Sequence, residues 1–239
     1  MRRILISGGS RGIGRAIVEA FAANGDNVAF LYRSREEEAA KVAQATGAVA
    51  SKADVSEPME ARRAITEAEA ALGGSIDVLV NNAAISWIGQ MQDMTDIEWR
   101  NILDTNLSGA FYLSRGVVSG MVRYHYGRIV SIGSMWGKVG ASCEVAYSAT
   151  KAGIRGMTMA MAKELGPSGV AVDCVEPGFI ATEMTAAIAE DSQQELCAET
   201  PLGRMGTPAE VAAAVVFLAS DAAGFITGQV IGVDGGLAV

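Results

Sequence analysis

Tyr147 and Lys151 stand four residues apart in Tyr-Ser-Ala-Thr-Lys, a spacing that puts a phenol and an ammonium on one face of a helical turn. A free phenol, with a pKa of about 10, exchanges protons poorly near neutrality. A fixed cation beside it stabilises the phenolate, so Lys151 is expected to lower the pKa of Tyr147 and make it a usable general acid or base. In a chain with five tyrosines and five lysines such a pair also arises by accident. Its weight comes from a second motif, more than a hundred residues upstream.

That motif is Ser7-Gly8-Gly9-Ser10-Arg11-Gly12-Ile13-Gly14, which follows a short apolar run and leads into Arg15-Ala16-Ile17-Val18. Glycines let the backbone turn tightly and approach a pyrophosphate, whose charge sits well against the amides and positive end of the following helix. Gly8, Ser10, Arg11, Gly12, Ile13 and Gly14 are the expected contacts. Gly9 and Gly14 also have the glycine spacing of a nucleoside-triphosphate loop. Arg15, however, stands where that loop needs lysine, and Ala16 where it needs a magnesium-binding hydroxyl. A dinucleotide is therefore the expected ligand. The second apolar run ends in Leu31-Tyr32-Arg33-Ser34. Enzymes that prefer NAD place a carboxylate near this point for the ribose 2′-hydroxyl, whereas a 2′-phosphate needs cations and hydroxyls. Arg33, Ser34 and Arg11 offer these without a carboxylate, so NADP(H) is expected over NAD(H). Asp54 and Val55, after the third run, are placed to contact the adenine edge.

The elements that must hold these groups are legible as an alternation. Apolar runs at 3–7, 27–32, 48–53, 76–81, 128–133, 170–175 and 229–234 alternate with helical patterns at 12–24, 35–46, 57–72, 96–124, 145–166 and 208–219. Continuous hydrophobic strands separated by helices predict an α/β, Rossmann-type, doubly wound parallel sheet of about seven strands with helices on both faces. At 239 residues the chain is expected to form a single domain, 1–239. Between 179 and 207 the pattern breaks into Thr, Met, Glu, Gln and Pro, and a substrate lid is expected there. The net charge of −8 argues against nucleic acid or an anionic membrane as partner. Cys143, Cys174 and Cys197 are odd in number and lack metal-ligand spacing, so neither a disulfide framework nor a metal site is expected. The apolar run Ile4-Leu5-Ile6 is too short for a signal-peptide core, and a cytoplasmic protein is expected.

With these residues in view, the chain resembles the short-chain dehydrogenase/reductase family along essentially its whole length. Gly8, Gly12 and Gly14 match that family's cofactor loop. Asn81-Asn82-Ala83-Ala84 is similar to its Asn-Asn-Ala-Gly segment, with Ala84 in place of the usual glycine. Asn106, Ser134, Tyr147 and Lys151 fall in order at its catalytic tetrad. Pro177-Gly178, followed by Ile180 and Thr182, resembles its nicotinamide-holding stretch. The resemblance implies that Tyr147 protonates a carbonyl oxygen while hydride arrives at its carbon, and that Ser134 hydrogen-bonds that oxygen. It further implies that Lys151 also binds the nicotinamide ribose, that Asn106 holds a water leading from Lys151 to solvent, and that Asn82, Ala83 and Ala84 line the cofactor site. Asp173 stands where the family commonly has asparagine, a departure expected to disturb the bracing of the site.

Within the family the chain is most similar to bacterial 3-oxoacyl-acyl-carrier-protein reductases, through residues 9–17, 127–134 and 177–185. A 3-oxoacyl thioester is thus the implied substrate, with a steroid, a sugar or a β-ketoester as the alternative. Such reductases dock acyl carrier protein on surface arginines, and the matching positions here hold His125 and Ser168. Arg123, Arg128 and Lys163 lie near enough in sequence to substitute, although the net charge opposes an acidic partner. Relatives that bind dinucleotide only as sensors typically lose the tyrosine or lysine, and this chain keeps both. The helix carrying Tyr147 continues with small or apolar residues nearly all round and Arg155 as its only charge through residue 162. That pattern predicts a homo-oligomeric contact, in a tetramer or dimer.

Overall fold

The computed structural model describes residues 1–183, 185–187 and 189–238. Met184 and Ile188, both in the expected lid, and the terminal Val239 lie outside the described residues. The strands are β1 (Arg3–Ser7), β2 (Asn27–Tyr32), β3 (Val49–Lys52), β4 (Val78–Asn81), β5 (Gly127–Ile132), β6 (Val170–Pro177) and β7 (Val230–Val233). They form one parallel sheet in the order β3-β2-β1-β4-β5-β6-β7. The helices are α1 (Gly12–Ala23), α2 (Glu36–Thr46), α3 (Pro58–Leu72), α4 (Asp96–Leu103), α5 (Gly109–Tyr124), α6 (Trp136–Val139), α7 (Val145–Leu165), α8 (Glu190–Glu199) and α9 (Pro208–Leu218).

The unbroken apolar runs are explained by burial on both sides. Successive strand residues point to opposite faces, and here both faces are covered. Ile4, Ile6, Val28, Phe30, Val78 and Val80 pack into the layer with α1 and α9. Leu5, Ala29, Leu31, Leu79 and Ile129 pack into the layer with α3 and α5. The chain winds outward from β1 in one direction and from β4 in the other, so the order reverses between these two strands. The crevice outside their carboxyl ends is where a doubly wound sheet binds ligands.

Two local expectations are corrected, while the helix expected over 96–124 runs that whole length with a π turn, Asp104–Ser108, between α4 and α5. The stretch read as irregular, 179–207, contains a 3-10 turn at Thr185–Ala187 and the helix α8. Asp173 does not touch the site. It is buried four residues before the end of β6, and its Oδ1 accepts the Gln229 N–H at 2.9 Å, tying β6 to the chain entering β7. Burial raises its carboxyl pKa.

Candidate active site

The glycine-rich loop leaves β1 and enters α1 beneath the switch point. Gly12 has φ +53, a left-handed conformation that a side chain would strain. The first turn of α1 carries no acidic residue, and Arg11 at its N-cap makes no side-chain cap. Its N–H groups therefore lack side-chain partners, as an anion site requires. The loop is clasped from β4: Asn82 Nδ2 donates to Ser7 O and Gly8 O, both at 3.0 Å. Ser7 Oγ accepts from the N–H groups of Asn82 and Ala83, also at 3.0 Å. This cradle fits a dinucleotide pyrophosphate.

A cleft of about 480 Å³ runs from this loop across the sheet edge. Every residue expected at the cofactor and catalytic positions lines it, with the exception of Asn106. At the outer end, Arg33 Nη1 lies 3.7 Å from Asp54 Oδ2, a partly exposed pair too loose to neutralise the arginine. Asp54 Oδ1 is engaged by the N–H and hydroxyl of Ser56, at 3.0 and 2.7 Å. Arg35, which the sequence reading did not single out, lines the same end.

At the inner end, Ser134 follows β5 while Tyr147 and Lys151 project from α7. All three line the cleft. The expected lowering of the Tyr147 pKa does not occur. Burial pushes the phenol up to about 12; a hydrogen bond from Ser134 opposes the rise and the Glu144 carboxylate adds to it. Lys151 sits over the phenol ring, with Nζ 5.5 Å from its centroid, and donates to Ile132 O at 2.7 Å. Burial in turn brings the lysine down to about 8. A proton held this firmly leaves Tyr147 a phenol throughout the physiological range, in the state a general acid needs.

Asn106 is buried beside the cleft on the π turn. Its Nδ2 donates to Ile85 O at 2.8 Å and Thr150 Oγ1 at 3.2 Å, and its Oδ1 accepts the Ile85 N–H at 2.8 Å. The amide is thus committed to bracing the loop after β4 against α7.

The family described as Enoyl-(Acyl carrier protein) reductase matches residues 8–238. The 3-oxoacyl-[acyl-carrier-protein] reductase FabG of Escherichia coli (strain K12) is 40% identical over 235 residues, covering 98% of this chain and 96% of that protein. The acetoacetyl-CoA reductase of Rhizobium meliloti (strain 1021) is 44% identical over 236 residues, covering 98% of each. The chain belongs to the short-chain dehydrogenase/reductase family. A crystal structure of a 3-oxoacyl-[acyl-carrier protein] reductase from Brucella melitensis matches with a TM-score of 0.93 at 36% identity, covering 100% of this chain and 91% of that one.

For a short-chain dehydrogenase/reductase, several wall residues went unread in the sequence. Glu144 and Trp136 line the cleft beside Tyr147, and Leu196 brings α8 to its rim. Glu144 had a signal, as the sole charge between Lys138 and Lys151. Burial raises its carboxyl pKa. The substitute docking cations do not flank the cleft. Arg128 is buried at the start of β5 with its guanidinium 5.5 Å from the Tyr126 ring centroid. Arg123 lies in the last turn of α5 and Lys163 in that of α7. In a parallel sheet these helix ends meet the amino ends of the strands, the edge opposite the cleft.

Proposed function

We propose that this short-chain dehydrogenase/reductase is an NADPH-dependent reductase of 3-oxoacyl thioesters. The observation that carries the reading is the convergence of Ser134, Tyr147 and Lys151 at one end of the cleft whose other end is the phosphate cradle. Two full-length relatives named for reduction of 3-oxoacyl thioesters support the substrate class. Arg11, Arg33, Ser34 and Arg35 line the end where a 2′-phosphate would sit, which supports NADPH. A bound nicotinamide dinucleotide supplies the hydride.

The chain's own residues do the rest. Tyr147 gives its proton to the substrate oxygen as charge develops there, and Ser134 donates a hydrogen bond to the same oxygen. Lys151, charged, stabilises the phenolate left behind and holds the ribose. Asn106 keeps α7 and the loop after β4 in register. Residues 179–207 act as a lid: the segment's two ends are tied by Ala181 N–H to Gly206 O and Gly206 N–H to Phe179 O, each at 2.9 Å, while α8 buries no residue. Exposed Phe111, Val145 and Met159 on α5 and α7 support a homo-oligomeric contact, in which a partner copy's basic edge would have to supply any docking of acyl carrier protein. No described helix is long and apolar enough to cross a membrane.

The test is an assay of acetoacetyl-CoA with NADPH and with NADH, beside crotonyl-CoA, a steroid ketone, a sugar ketone and a β-ketoester, with and without carrier protein. Acetoacetyl-CoA should be turned over with NADPH preferred by about tenfold or more, the worth of one charge-assisted hydrogen bond. A preference for crotonyl-CoA would make the chain an enoyl reductase, and binding of dinucleotide without turnover of any substrate would make it a sensor.

The pH dependence has a definite sign. kcat/KM for the dinucleotide, which reports the free enzyme, should be level in the reductive direction up to about pH 8 and fall above it as Lys151 loses its charge. Tyr147, at about 12, stays protonated across this range. Alcohol oxidation, which needs the phenolate, should instead rise with pH. A reductive rate that climbs between pH 6 and 10 would remove this assignment.

A further inference from the structure

β6 is buried along its whole length, and its end carries a carboxylate under the cleft. Ile132 pairs with Val175, so Glu176 lies beside Gly133, the residue joining β5 to Ser134. On α7, Lys151 and Arg155 stand one turn apart. Lys151 reaches Ile132 O, and Arg155 Nη1 donates to Glu176 Oε2 at 2.5 Å. Glu176 is 4% exposed. Its other oxygen, Oε1, has no hydrogen-bond partner among the described residues. That oxygen faces the floor of the site: a Cβ placed on Gly133 would lie 3.3 Å from Oε1 and 2.8 Å from Glu176 Cγ. A carboxylate removed from water and left half satisfied is costly, and packing alone does not call for one.

The groups surrounding it are few. α7 presents Tyr147, Lys151 and Arg155. β6 presents Cys174, whose thiol burial pushes up to about 12, so that it is neutral where Lys151 titrates. Beyond β7, Asp234 is occupied in accepting the N–H groups of Gly236 and Ala238. Lys138 of α6 is turned to Ala238 O.

We propose that Glu176 is a positioning residue for Lys151: anchored at one oxygen by Arg155, its carboxylate holds the lysine in its charged form beneath the reacting groups. Arg155 is the counterweight that fixes the carboxylate and moderates its field. The proposal rests on the reading of Lys151 given above, but its test does not require turnover.

Lysine labelled with 13C at the ε position reports each of the five lysines in an NMR titration, and Lys151→Met identifies the Lys151 resonance. In Glu176→Gln the Lys151 midpoint should move down by about one pH unit or more, the size expected when an opposite charge is removed nearby. In Arg155→Gln, which takes away a like charge, it should move up. The alkaline limb of the reductive pH profile should follow in both. Midpoints that stay at the wild-type value, or move the same way in both variants, overturn the proposal. If one variant does not fold, the direction of shift in the other decides. Opposite shifts in a protein that reduces no ketone would remove the proposed function and leave this pairing standing.

Discussion

Tyr147→Phe is expected to lower kcat by about a thousandfold, within the 10²–10⁴ range of a positioned general acid, while the Kd for NADPH stays within about threefold. The substitution removes one oxygen and keeps the ring over which Lys151 sits, 5.5 Å from its centroid, so the lysine keeps its seat and its bond to Ile132 O. The phenol's high pKa of about 12 is no obstacle to its role. An oxygen that has received hydride at its carbon is an alkoxide, whose conjugate acid is about as weak as water and far weaker than a phenol. The proton therefore moves downhill from phenol to alkoxide, and the burial that raises the phenol keeps it loaded until that oxygen forms. Stopped-flow measurement of NADPH oxidation, together with fluorescence titration of NADPH binding, separates the two effects. Retention of more than about a tenth of wild-type turnover, a change smaller than any positioned acid gives, would sink the assignment. So would loss of NADPH binding in parallel with turnover.

What the sequence made legible was whatever depends on near neighbours. Seven apolar runs gave seven strands, because in a sheet covered on both faces the central strands are mostly apolar on both sides and short runs stand out. The glycine loop and the Tyr147–Lys151 spacing are likewise local patterns, and the structure brings them to one cleft. The rest depends on distant partners. α8 buries none of its residues, so it leaves no hydrophobic stripe to detect. α6 is four residues long, below the length at which periodicity means anything. The π turn in the expected 96–124 helix exists to turn Asn106 toward Ile85 and Thr150, and those contacts span 21 and 44 residues. The Tyr147 pKa was misjudged for the same reason: i,i+4 spacing fixes the face that Lys151 shares, not the burial that raises the phenol. Glu176 and Arg155 read as unrelated charges until the β5–β6 register sets one beneath the site.

Gly14→Ala tests the other end of the cleft and should be the most damaging single-methyl change in the chain. A Cβ on Gly14 would lie 2.1 Å from Gly8 O, 2.4 Å from Asn82 Nδ2 and 2.9 Å from the Gly8 carbonyl carbon. Two of these are backbone atoms of the loop itself, and the third is the amide that clasps the loop to β4 through Ser7 O and Gly8 O. No flexible side chain can yield, so relief requires opening the turn that aims the first N–H groups of α1 at a pyrophosphate. The expected result is a loss of about 1–3 kcal/mol in urea unfolding, typical of overpacking. Kd for NADPH should weaken by about a hundredfold or more, since about 2.7 kcal/mol of binding corresponds to that factor. Gly156→Ala is the matching control. Gly156 lies inside α7 with nothing within 4 Å of its added methyl, so stability should hold or rise slightly with NADPH affinity unchanged. If Gly14→Ala binds NADPH within about threefold of wild type, a difference under 1 kcal/mol, the glycine loop is not the phosphate cradle and the cofactor must enter the cleft another way.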